Sequence, residues 1–411
     1  MKRLSTLTAL ASTDLAASFL IQVMVLASVG VGQLTDAYFA GQAPVLVLLA
    51  IVQLPIQRAV LSAFTDLPPG FRFPGLQLYC AIVGVLLIGV GVLLLIGKAA
   101  LPFAYPTLSS EALDLALRVM GIQGLAVAIA AGNTVLLSGN HIAGRFVRAE
   151  VALASASLVT VAWVAITLPS LGVIAAATGQ VLKAALAGAS YGIMLRGQMT
   201  WRRPPWRSLW KIVRPLASAG LLSKLAPLVD RSIASMAASG SITLLVFAQS
   251  LYSAAVGVFD RAIVAPRLPS LKREPTWETI SGMSVRLVVA GVGVVAALVA
   301  GLWFAALLGW ASSALPADSV DLLLGLMSLL VGLPVGTLVA PWLAASLVFL
   351  GRASVSARIM AWCFLISIPL KVAAFRLGGV HGLAFAMSCY YLGSAASLWF
   401  FSRRFARGVR M

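Results

Sequence analysis

Residues 75–100 read GLQLYCAIVGVLLIGVGVLLLIGKAA, an apolar run whose only charged residue, Lys98, lies close to its end. A helix needs roughly 20 predominantly apolar residues to cross the hydrocarbon core of a bilayer, and this run is long enough. The whole chain has the same character, with 61% hydrophobic and 10% charged residues among 411. A soluble domain has about a quarter charged residues. The sequence therefore predicts an integral membrane protein.

Apolar runs separated by short polar breaks predict an all-α membrane protein with about twelve transmembrane helices. The first run follows Lys2 and Arg3 and contains Asp14, and we interpret it as a retained helix rather than a signal peptide. The approximate bounds of the twelve runs are 7–31, 43–64, 75–100, 113–137, 149–168, 172–195, 211–237, 242–266, 281–309, 321–349, 357–376 and 380–401.

The basic residues predict the orientation of the helices. With the N-terminus in the cytoplasm, the cytoplasmic segments hold 20 of the 30 Lys and Arg residues. The opposite side has only Lys98, Arg118, Lys371 and Arg376 at or near its helix ends. Cytoplasmic loops of membrane proteins carry such an excess of positive charge. We therefore expect both termini in the cytoplasm and a place in the cytoplasmic membrane, and we attribute the net charge of +18 to this bias and not to a nucleic-acid partner.

The longest polar break, RGQMTWRRPPWRSLWKIVR at 196–214, divides the chain almost in half. It predicts two domains, an N-terminal six-helix bundle (1–200) and a C-terminal six-helix bundle (201–411). Its tryptophans and arginines favour a linker that lies along the anionic inner leaflet. A role in docking a lipid substrate is the alternative interpretation.

The two halves resemble each other in sequence. LLSGNHIAGRFVRAE (136–150) and the PSLGVIAAA turn (169–177) in the first half match VFLGRASVSARIM (348–360) and RLGGVHGLAFA (376–386) in the second. Gly172 and Gly379 then occupy matching turns. Duplicated halves of equal orientation predict two bundles related by a pseudo-twofold axis along the membrane normal, an architecture typical of alternating-access transporters.

Several short motifs are similar to those of a known transporter family: LTDAYFAGQ (34–42), ASGSI (238–242), RLPSL (267–271) and GGVHGLAFAMS (378–388). On these the chain resembles the lipid II flippase (MurJ-like) and polysaccharide flippase family of the multidrug/oligosaccharidyl-lipid/polysaccharide (MOP) exporter superfamily. In its first helix the chain has ASFLIQVMVLASVG (17–30), where that family has an Arg-rich stretch. The resemblance therefore implies a relative that moves a polyprenyl-diphosphate-linked glycan other than lipid II, with glycan-assembly enzymes as candidate partners.

Five cations lie inside the predicted spans, where an ionisable side chain costs roughly 2.5–3.5 kcal/mol and normally faces a cavity or a partner. They are Lys183, Lys224, Arg58, Arg261 and Arg231. Arg binds a phosphate group through two parallel hydrogen bonds, and Lys binds it as a point charge. We expect these side chains to form a cationic cavity that binds the diphosphate of the substrate.

Three acids lie inside the spans as well: Asp14, Asp230 and Asp260. They are candidates for binding a coupling ion. The alternative is that acids and bases form interhelical salt bridges of structural value only, for example Asp14 with Arg58.

The sequence thus predicts a secondary transporter, not an enzyme, that flips a lipid-linked oligosaccharide among membrane lipids without a cofactor or metal. No ATP is expected, because the sequence has no phosphate-binding loop motif. A drug or cation exporter of the same superfamily is the nearest alternative, although it predicts an acidic cavity. A membrane-embedded polysaccharide polymerase or ligase is the alternative from another class, and it would need an acid/base constellation that the short outward breaks do not carry.

Overall fold

A computed structural model describes residues 2–64, 73–201, 203–259, 276–307 and 316–408, together with 263–264, 267 and 271. Within these residues the structure is nearly all helical, and its only strand-like contact is a bridge between Phe73 and Met199. The predicted all-α fold class is confirmed. The helices are α1 (Lys2–Val29), α2 (Gln33–Phe64), α3 (Gly75–Ala104), α4 (Ser110–Ile142), α5 (Phe146–Leu171), α6 (Val173–Met194), α7 (Trp206–Lys224), α8 (Ala226–Ala234), α9 (Ser241–Phe259), α10 (Trp277–Leu307), α11 (Ala317–Leu329), α12 (Gly332–Phe349) and α13 (Ala353–Gly408).

Ten segments of the described chain are long and apolar enough to cross a membrane. The protein is therefore a multi-pass membrane protein. One of the ten, Ala353–Arg407 within α13, contains a break at Gly378 and Gly379 that separates two helical arms. α7 and α8, which replace the predicted seventh span, are not among the ten. The predicted count of twelve spans and the orientation of the termini stay predictions.

The chain forms two compact units, Met1–Leu228 and Val229–Met411. In the first unit α4 lies at the centre and packs against α2, α3 and α6, while α5 packs against α1 and α6. A Cβ atom at Gly41 in α2 would collide with the backbone carbonyl of Ala116 in α4, so these two helices approach backbone to backbone. α7 packs against α2, which extends this unit beyond the predicted domain 1–200.

In the second unit α12 is central and packs against α9, α10 and α13. Trp342 of α12 is 1% exposed, and its indole N–H donates to the backbone carbonyl of Ile280 at 3.2 Å. Gly336 of α12 lies against the backbone of Tyr391, where a Cβ atom would come within 2.6 Å of the carbonyl oxygen. The helices of this unit therefore also pack closely through small residues, as is common in membrane proteins.

The predicted matching turns have nearly identical backbone conformations. Gly172, between α5 and α6, has φ 53° and ψ −138°, and Gly379, between the two arms of α13, has φ 58° and ψ −139°. This region of φ and ψ is accessible essentially to glycine alone. The sequence repeat therefore corresponds to a repeated backbone turn at the same point of each half.

The predicted seventh span, 211–237, is interrupted near Pro227. α7 ends at Lys224 and α8 begins at Ala226, so the helix breaks at Leu225, two residues before the proline. A proline disfavours the helical conformation of the residues before it and removes a backbone donor. The break places Lys224 at a helix end and separates it from Asp230 and Arg231 in α8.

Candidate functional site: a polar cavity and two ion pairs

A polar cavity of about 380 Å³ lies inside the first unit, between α1, α2, α4 and α6. It is open at one side, and apolar residues such as Ile21, Leu46 and Leu49 complete its wall. Its polar lining consists mainly of amides and hydroxyls, with a single lysine: Ser18, Gln22, Tyr38, Gln42, Gln53, Gln123, Asn133, Thr134, Gln180, Lys183 and Tyr191. So many hydrogen-bonding groups inside a membrane protein indicate a space for water or a polar ligand.

An ion pair lies at the edge of this cavity. The Lys183 ammonium of α6 donates to Asp14 Oδ1 of α1 at 2.5 Å, and it also contacts the Ser18 hydroxyl at 3.3 Å. The Ser157 hydroxyl of α5 donates to the same carboxylate oxygen at 2.6 Å. The side chains of Lys183 and Asp14 keep 17% and 13% of their surface exposed, and Lys183 lines the cavity.

The amides of the cavity are held by one another and by the backbone. Gln123 donates to the Tyr38 hydroxyl at 3.2 Å, and Gln42 donates to Gln123 at 3.5 Å. Asn133 donates to the carbonyl of Ala184 at 2.7 Å. The side-chain oxygens of Gln22 and Asn133 are buried acceptors without a hydrogen-bond partner among the described residues. The cavity therefore offers hydrogen-bonding capacity that its own side chains do not fill.

A second ion pair is sealed inside the second unit. The Lys371 ammonium, in the first arm of α13, lies 2.6 Å from Asp230 Oδ1 of α8, and both side chains are at most 1% exposed. The ammonium also lies 4.7 Å from the ring centroid of Tyr390 in the second arm, a cation–π contact. The charges are thus neutralised within the protein, away from any solvent.

The structure can be compared with solved ones. The lipid II flippase MurJ, in an inward closed conformation, superposes with a TM-score of 0.77 at 15% identity over 98% of this chain and 88% of that one. An outward-facing multidrug-resistance MATE transporter of the MOP superfamily superposes with a TM-score of 0.68 at 15% identity, over 99% of this chain and 96% of that one. A MOP superfamily transporter from Pyrococcus furiosus superposes with a TM-score of 0.65 at 15% identity, over 99% of this chain and 96% of that one.

The chain has the MOP-transporter fold. The predicted resemblance is thereby confirmed at the level of fold, and the solved structures that share it are transporters. No protein-family model and no curated protein sequence gives a significant match to the chain.

Within this MOP fold, the predicted cations occupy different environments. Lys183 lines the cavity, whereas Arg58 of α2 and Lys224 at the end of α7 are exposed and do not line it. Arg231 of α8 is 6% exposed. Arg261 lies outside the described residues.

Of the predicted acids, Asp14 and Asp230 each belong to one of the ion pairs, and Asp260 lies outside the described residues. The pairing of Asp14 with Arg58, which the alternative interpretation suggested, is wrong. α1 packs mainly against α5 and also contacts α6, so the carboxylate meets Lys183 and Ser157 instead.

Sequence reasoning missed the role of Lys371, which it counted among the positive charges at the outer helix ends. The side chain is 0% exposed and lies inside the helix, seven residues before the break at Gly378. Its neighbours ISIPLKVAAF (366–375) are otherwise apolar. A lysine in such a run, together with an aspartate inside another predicted span, was the available signal.

Proposed function

We propose that the protein is a secondary transporter that flips a polyprenyl-diphosphate-linked oligosaccharide from the inner to the outer leaflet of the cytoplasmic membrane. The polar cavity of the first unit, within a MOP fold similar to MurJ, is the observation that carries this proposal. Sugars present many hydroxyl groups, each a donor and an acceptor, and the amides and hydroxyls around the cavity are suited to bind them.

Lys183 supplies the charge for the substrate's diphosphate. Its ammonium is held by Asp14 and lies at the cavity wall. A diphosphate oxygen that enters the cavity competes with the Asp14 carboxylate for this ammonium. Asp14, once released, is free to bind a proton or another coupling cation. Substrate binding and ion binding are then linked through one lysine.

The other predicted cations complete this proposal. Lys224 is exposed at the end of α7, beside the helix break, and there it serves as a further phosphate contact. For Arg58, Arg231 and Arg261 the phosphate contact expected from the sequence stays a prediction. Asp230 is an unsuitable coupling site, because Lys371 already occupies it as an internal cation.

The test is leaflet exchange of a labelled polyprenyl-diphosphate oligosaccharide in proteoliposomes, followed by its accessibility to an added glycosidase. The wild-type protein should accelerate exchange. Lys183→Gln should slow it about ten- to a hundredfold, because a charge-assisted contact in a low-dielectric cavity contributes roughly 1.5–3 kcal/mol. Lys98→Gln is the matched control, since Lys98 is exposed near the end of α3, and it should keep the wild-type rate.

A drug or organic-cation exporter is the second candidate, favoured by the likeness to MATE transporters and by the neutrality of the Asp14–Lys183 pair. The same proteoliposomes distinguish the two. Gradient-driven efflux of a cationic dye without glycan exchange would favour the exporter. Equal glycan exchange by wild type and Lys183→Gln would contradict the role proposed for Lys183.

A further inference from the structure

An apolar groove of about 520 Å³ lies in the first unit between α2, α3 and α7. Its walls are aliphatic side chains of α2 and α3 and two tryptophans of α7, Trp206 and Trp210. These indoles are 44% and 63% exposed, whereas Leu209 beside them is 5% exposed and packs against Ile56 and Leu78. The groove is therefore a formed concave surface whose rim carries large exposed aromatic side chains.

The basic residues of α7 lie directly beside the groove. Arg207, Lys211 and Arg214 have helical spacing i, i+4 and i+7, and all three are exposed. At 100° per residue they form a stripe next to the stripe of Trp206, Trp210 and Val213 that lines the groove. One edge of α7 is thus apolar and the adjacent edge is cationic.

We infer that this groove binds one acyl chain of an anionic phospholipid, whose phosphate contacts Arg207, Lys211 and Arg214. The apolar walls favour burial of a hydrocarbon chain. Tryptophans are enriched where the hydrocarbon region meets the headgroups, and arginines bind phosphate groups there. The charge of the stripe selects an anionic headgroup over a zwitterionic one.

This inference is independent of the transported substrate. None of the residues that line the groove lines the polar cavity of the first unit. The α7 helix begins within the polar break between the two halves of the sequence. A lipid bound here would therefore act as a fixed component of the transporter and would not be its cargo.

Quenching of tryptophan fluorescence by phospholipids with brominated acyl chains tests the inference in nanodiscs. The quenching that comes from the groove is the quenching of the wild-type protein minus the quenching of the Trp206→Phe/Trp210→Phe variant. Brominated phosphatidylglycerol should quench this contribution more than brominated phosphatidylcholine. The variant Arg207→Gln/Lys211→Gln/Arg214→Gln should weaken the apparent affinity for phosphatidylglycerol about ten- to a hundredfold.

The matched control is Arg403→Gln/Arg404→Gln/Arg407→Gln, which removes the same charge from an exposed cluster at the end of α13 and should keep the wild-type affinity. Ala81→Phe, which fills the groove from α3, should abolish the quenching in a folded protein. Equal quenching by the two phospholipids, or an equal loss in the control, would overturn the inference. Displacement of the brominated lipid by a polyprenyl diphosphate and not by phosphatidylglycerol would also overturn it, since the groove would then hold the substrate's tail.

Discussion

The two units of this protein each contain a lysine–aspartate pair, and the two pairs differ in their access to solvent. Asp14–Lys183 borders the polar cavity, with 13% and 17% of the side-chain surface exposed. Asp230–Lys371 is at most 1% exposed, and its lysine lies against the ring of Tyr390. The distances are similar, 2.5 Å and 2.6 Å, so geometry alone does not distinguish the pairs.

The difference in access predicts different roles. An exposed pair can exchange its partner, because an incoming anion or water compensates the charge that is released. A sealed pair cannot, because either group alone would be an uncompensated charge in a low-dielectric interior. We therefore assign binding and coupling to Asp14–Lys183, and a structural role in holding α8 to α13 to Asp230–Lys371.

The largest expected effect is that of Lys371→Met, which leaves Asp230 buried without its ion-pair partner. We expect a loss of about 3–5 kcal/mol in the free energy of unfolding. Denaturant titration of the purified protein in mixed micelles measures it. Asp230→Leu/Lys371→Met removes both charges and should recover most of this loss. Equal unfolding free energies of Lys371→Met and the double variant would show that the remaining Asp230 costs nothing when unpaired. That result would contradict a pair sealed from solvent.

The next largest expected effect is the loss of stability when a turn glycine is replaced. This loss should be similar in the two halves. Gly172→Ala and Gly379→Ala each force alanine into nearly the same disfavoured conformation, and neither new methyl group would meet another atom within 4 Å. We expect each to cost about 1–3 kcal/mol of unfolding free energy. Gly192→Ala in α6, at an open position without positive φ, should be neutral or stabilising. Unequal losses at the two turns would contradict the backbone repeat.

The smallest effect on stability is expected for Lys183→Met, about 1 kcal/mol, because Asp14 is partly exposed and the Ser157 hydroxyl still donates to it. The same titration measures it beside Lys371→Met. Asp14→Asn/Lys183→Met should restore the stability but not the leaflet exchange. A loss as large as that of Lys371→Met would show that the two pairs are equivalent, and the assignment of separate roles would be wrong.

Much of the fold could be predicted from the sequence, because hydrocarbon imposes a simple rule on helix length and composition. The run at 75–100 corresponds to α3, and Gly172 and Gly379 lie in matching turns. The site could be predicted only in part. Lys183 and Asp14 were recognised as candidates, but their pairing was not, since the salt bridge considered for Asp14 was with Arg58, and Lys371 was placed at a helix end.

The sequence by itself determined that this is a multi-pass helical membrane protein with a repeated turn. Spans and glycine turns are local properties that a short window of residues specifies. Only the tertiary structure decided which charges meet and which of them solvent can reach. Asp14 and Lys183 are 169 residues apart, and the packing of α1 on α5 and α6 brings them together. Burial depends on every neighbouring helix at once, so no window of sequence specifies it.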